Sequence, residues 1–179
     1  MRSRVCLFVL LLSLTASILA YGQGPKKPRT DEDYVPRTLR QLSTLLPPAF
    51  EAELARRPPG DVPAVIVHSD SLPSRVKVLY DGATRPLHEK KKAVIQSWAH
   101  QFAGMVEFYT VPYQTEMLFT ENGENYWLAV RTESLPKFEQ ELNKGDAVEL
   151  FVIKMGNTEL VENDKKLEPV LLVERFTKQ

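Results

Sequence analysis

Tyr113–Thr132 reads YQTEMLFTENGENYWLAVRT, and the Asn122-Gly123 pair at its centre decides how the rest is paired. Both central residues of a two-residue type I′ turn take positive φ, which Asn and Gly do at least cost. A hairpin closed there sets Glu121 opposite Glu124, Phe119 opposite Tyr126, Met117 opposite Leu128 and Thr115 opposite Val130. The last three pairs share one face and make it apolar. The other face carries Thr120 with Asn125, Leu118 with Trp127, Glu116 with Ala129 and Gln114 with Arg131. It is polar except for one Leu-Trp pair.

Working outward, Met105–Val111 alternates Val106, Phe108 and Thr110 with Glu107 and Tyr109, a strand that meets the hairpin at a Pro112 corner. Ser134 opens a short helix with Pro136 in its first turn and Leu135, Phe138 and Leu142 on one side, and Gly145 follows its end. Ala147–Met155 is a long strand, residues 156–168 a polar loop, and Val170–Phe176 a last strand. Five strands with a helix between the third and the fourth is the order of an OB-type barrel, a small, partly open barrel used mainly for binding. The likeness is architectural, and fold alone does not assign function.

Before the barrel, Pro86 opens a helix carrying Val94, Ile95, Trp98 and Phe102 on one side and stopping at Gly104. Val62–Val67 and Arg75–Tyr80 read as two strands, and Asp81-Gly82 turns the chain after them. Leu39, Leu42 and Leu45, then Phe50 and Leu54, mark two short amphipathic helices separated by Pro47-Pro48. Gln23–Arg37 offers little to bury and reads as a flexible leader. The fold class is therefore α+β, mainly β: a five-stranded OB-like barrel over 105–179, preceded by a helical and two-stranded segment over 38–104.

Residues 1–22 have the parts of a secretory signal: Arg2 and Arg4, an apolar run from Val5 to Leu19, and Ala20-Tyr21-Gly22 as the cleavage site. That run is shorter than the ~20 residues a spanning helix needs, so a secreted or periplasmic chain with no stable membrane insertion is expected after cleavage. The one cysteine, Cys6, lies inside the run, so a mature chain has no disulfide and must be held by burial alone. The chain has 23 basic and 23 acidic residues, and losing Arg2 and Arg4 leaves 21 against 23, a formal charge of −2. Nucleic acid has no electrostatic attraction to such a chain.

The candidate chemistry is sparse. His68, His88 and His100 share no metal-ligand spacing, and His88 and His100 read as surface residues. His68 and Asp70, with Ser69 and Ser71 beside them, form the one constellation on which a small hydrolase or metal-dependent enzyme could be built. A surface loop is the plainer reading, because no third ligand, GxSxG elbow or HExxH pair accompanies it. Lys90, Lys91 and Lys92, with Arg85 and His88 nearby, could form an anion site at a helix N-terminus, but they read more plainly as a solvated face, and Glu121 and Glu124 as solvated residues flanking a turn. No cofactor or metal is expected. The outer face of strands two and three is where ligands of OB-type barrels lie, which makes Leu118, Trp127 and Arg131 the candidate ligand contacts, for an envelope protein or a saccharide. Against this stands internal packing: the helix through Trp98 and Phe102 needs a partner and is expected to cover Trp127.

Overall fold

Asn122 and Gly123 take φ of 52° and 82°, the left-handed pair that a type I′ turn requires. The chain is described here by a computed structural model covering residues 29–46, 65–103, 110–159 and 167–179, with Ala52 and Arg56 besides. In chain order its elements are β1 (Val35–Pro36), α1 (Leu39–Thr44), β2 (Val65–Pro86), α2 (Glu89–Trp98), β3 (Tyr113–Glu121), β4 (Glu124–Arg131), α3 (Leu135–Glu141), β5 (Ala147–Glu159) and β6 (Leu167–Lys178). The signal at 1–22, the helix through Phe50 and Leu54 and most of the strand expected over 105–111 lie outside the described residues.

The hairpin register is the expected one from Glu121↔Glu124 to Thr115↔Val130. Beyond Thr115 it shifts, so that Arg131 pairs with Tyr113 and not with Gln114. Met117, Phe119, Leu128 and Val130 are buried on the inner face, with Tyr126 packed partly against them. Phe138 of α3 and Leu142 just beyond it join the same core. Leu39 and Leu42 of α1 enter it as well.

The protein is mainly β, a six-stranded sheet that closes on itself in a ring-like arrangement. The strand order is β1-β2-β3-β4-β6-β5, and β2 pairs with β5 as well. Every ring pairing is antiparallel except β4 with β6, which run parallel through Ala129↔Leu172 and Val130↔Val173. The two strands expected over 62–67 and 75–80 are one strand of 22 residues, and it is a member of the ring. The sheet therefore takes strands from both sides of the boundary expected at 104/105.

The Asp81-Gly82 pair explains the difference. Positive φ at Gly82 (89°) was legible as a turn, but here it serves a bulge, because β2 continues against β3 on both sides of it. Tyr80 faces Phe119 and Thr84 faces Met117, so Asp81, Gly82 and Ala83 together oppose Leu118. The excess of two residues preserves the alternation of faces, and Arg85 arrives on the outer face opposite Glu116.

Of the expected leader, residues 29–37 are described, and they pack on the sheet. Residues 31–33 form a 3-10 turn, Val35 and Pro36 pair with β2, and Tyr34 is buried with its ring edge-on to Phe151 at 5.1 Å. Arg29 and the Tyr34 hydroxyl meet Glu174, and Asp31 meets Arg175. Charge complementarity with β6 holds a segment whose composition offers little apolar area. Burial and the hydrogen bond to Glu174 push the Tyr34 hydroxyl up to about 12.

Candidate functional site

The outer face of β3 and β4 is built in rows across the strands. Thr120 with Asn125 forms the first, Leu118 with Trp127 the second, and Glu116 with Ala129 the third. In the first row the Thr120 hydroxyl donates to Asn125 Oδ1 at 2.9 Å. Leu118 and Trp127 are half-buried, and the Arg85 guanidinium lies over the Trp127 ring, 4.3 Å from its centroid. This stacking pairs a weakly hydrated cation with the negative face of the indole.

Glu116 fixes Arg85 from below. Its side chain has no exposure, with Oε2 accepting from Arg85 Nε at 2.8 Å and Oε1 from Lys91 Nζ at 2.6 Å. The Lys91 ammonium, 2% exposed, also donates to the Trp127 carbonyl at 2.8 Å and stands 3.4 Å from Glu168. Two cations and two carboxylates thus neutralise one another beneath the outer face. Desolvation of each charge is offset by direct, hydrogen-bonded partners, the condition under which buried ions are tolerated. Lys91 reaches the site because α2 follows directly on the end of β2, where Pro86 pairs with Thr115 of β3, and His88 caps the helix, its Nδ1 accepting from Lys90 N at 3.2 Å. The reading of residues 90–92 as a solvated face holds for none of the contacts Lys91 makes, and His88 is a helix cap and not a bare surface residue.

The helix through Trp98 covers only part of this face. Val94, Ile95, Trp98 and Ala99 pack with Ala129, Tyr113, Leu172, Val170, Ile153 and Met155 in a second apolar cluster. Trp127 and Leu118 stand outside that cluster, on the Arg85 side of Ala129. Arg131 stands on the other side, with Nε donating to the Tyr113 hydroxyl at 3.3 Å and Nη1 paired with Glu133 at 2.9 Å. Of the three expected contacts, the structure brings Leu118 and Trp127 together and sets Arg131 apart from them.

His68 and Asp70 lie within β2, at the irregular stretch between Val67 and Leu72, and their side chains are outside the described set. No group of three or more His, Cys, Asp or Glu gathers among the described residues. Glu121, expected in solvent, is buried and accepts the N–H groups of Leu39 at 3.0 Å and Arg40 at 3.2 Å, a carboxylate at the positive end of α1.

Sequence reasoning missed Arg85, Lys91 and Glu116 as one unit. The Glu116–Ala129 pairing put a carboxylate beside Trp127, and the lysine run with Arg85 near it lay at the helix thought to cover it; the Asp81-Gly82 bulge that delivers Arg85 reads as a turn in sequence. Comparison with protein-family models returned no match, and comparison with curated proteins returned none either.

Proposed function

We propose that this chain is a non-enzymatic binding module, secreted or periplasmic, in which an OB-like five-stranded barrel offers the outer face of β3 and β4 to a ligand. Support for the barrel comes from ring order: β2, β3 and β4 follow one another, α3 intervenes, and β5 and β6 complete the circuit. Support for export comes from the signal-like residues 1–22. The single observation that carries the binding reading is Trp127, half-buried beside Leu118 on the outer face and stacked under Arg85. An aromatic left at the surface with a charged partner above it and a hydroxyl-amide row beside it has the composition of a recognition patch. The partner is a saccharide or an envelope protein, not nucleic acid.

Retention of envelope components on the immobilised protein tests this. Trp127→Ala should lose the retained ligand while its denaturant melt stays within about 1 kcal/mol of wild type, because few core contacts are removed. Equal retention by Trp127→Ala would move the binding surface elsewhere.

A further inference from the structure

The geometry points to Arg85 as the ligand-selecting residue of this face, reading a carboxylate on an acidic saccharide whose sugar ring lies against Leu118, beside the Arg85–Trp127 stack. The inference rests on the binding role proposed above and adds the chemical class of the ligand.

Arg85 commits only its Nε, which donates to Glu116 at 2.8 Å; among the described residues its two terminal nitrogens donate to nothing. Its side chain is 30% exposed, whereas Glu116 beneath it is fully buried. The guanidinium is held at two points, by the carboxylate at Nε and by the indole 4.3 Å away, so its plane is set before any ligand arrives. A planar fork with both terminal N–H groups uncommitted matches a carboxylate, which accepts two parallel hydrogen bonds. Preorganisation matters here, since less side-chain entropy is lost per bond formed.

The charges beneath strengthen this. Glu116 divides its two oxygens between Arg85 and Lys91, so it takes only the Nε of Arg85 and leaves the two terminal nitrogens facing outward, while Lys91 has Glu168 besides. A free arginine for solubility would need no buried carboxylate, bulged strand and indole to fix it. The rest of the strip favours a sugar over an extended acidic peptide. From the Glu116 row to the Thr120 row is about 13 Å at the usual rise of a strand, and the order along it is the cation stacked on the indole, apolar Leu118 beside them, then hydroxyl and amide. Sugar rings present an apolar face bordered by hydroxyls, which is the same sequence of surfaces. A peptide adding to the sheet would need an open strand edge, but this strip is the face of paired strands.

Titration calorimetry of the full chain with oligogalacturonate, with its methyl ester and with poly-glutamate decides the matter. Oligogalacturonate should bind, and its ester at least tenfold more weakly, because esterification removes the charge-assisted fork. Arg85→Lys and Arg85→Gln should each weaken oligogalacturonate at least tenfold, because neither replacement offers a planar two-donor fork. The ester comparison uses the wild-type protein and so holds even if the variants fold poorly. Equal affinity for acid and ester, abolished by Trp127→Ala, would overturn the carboxylate assignment while leaving the binding face in place. Poly-glutamate binding as tight as oligogalacturonate would overturn the saccharide assignment. No binding by any of the three would overturn the inference.

Discussion

Lys91→Met removes one ammonium and keeps its aliphatic stem, which makes it the sharpest probe of the buried ion cluster. Glu116 is without exposure and would keep only Arg85, whose side chain is itself 30% exposed, while the Trp127 carbonyl would lose its 2.8 Å donor. Breaking a buried pair from one side costs about 3–5 kcal/mol because an uncompensated charge stays behind. Since Arg85 remains on Oε2, the lower end applies, about 3 kcal/mol. For a chain of this size that is a fall in Tm of roughly 6–12 °C, at about 2–4 °C per kcal/mol. Lys91→Met/Glu116→Met then removes the stranded carboxylate, and Arg85 and Glu168 can be hydrated from their exposed sides. The double variant should therefore recover part of the loss, a coupling of about 1–3 kcal/mol against the sum of the single changes. Urea denaturation of the four proteins gives each value. A loss under about 0.5 kcal/mol for Lys91→Met, or additive single and double changes, would refute the cluster as a unit.

Gly123→Val should cost more than about 1 kcal/mol in denaturant melts, and the cost is conformational: φ is 82° there and a Cβ would meet nothing within 4 Å. Leu128→Ala should lose about 2–5 kcal/mol by the same assay, as its side chain is buried in the main core. Lys154 gives a pH dependence. Its Nζ is fully buried and donates to the carbonyls of Leu42, at 2.5 Å, and Leu45 at the end of α1, and burial pushes it down to about 7. Between about pH 7 and 10.5 the unfolded chain holds a proton that the folded one has released, so this residue makes stability rise with pH across that window and lowers it below pH 7. A neutral amine still has two N–H groups for the two carbonyls. Lys154→Met should flatten the slope between pH 7 and 10 in urea melts taken at stepped pH; an unchanged slope would place its origin in another group.

The hairpin was legible because its determinants are local. Positive φ at Asn122 and Gly123 is a property of two adjacent residues, and once they close the turn, alternation carries the register outward to Thr115 and Val130 without help from the rest of the chain. The same holds for the inner-face core of Met117, Phe119 and Leu128, and for Phe138 and Leu142 on one side of a short helix. What only the tertiary structure decided was the partner of each charge and the role of each glycine. Gly82 has the same positive φ whether the chain reverses or bulges, and the choice depends on β3 lying alongside both halves of β2. Lys91 and Glu121 look solvated in sequence because a charged side chain carries no mark of burial. They are buried here because Glu116 and the first N–H groups of α1, respectively, meet them across 25 and 82 residues of chain. Hydrophobic patterning sets which faces turn inward, residue by residue. Pairing of buried charges is a relation between distant residues, and it exists only once the ring has closed.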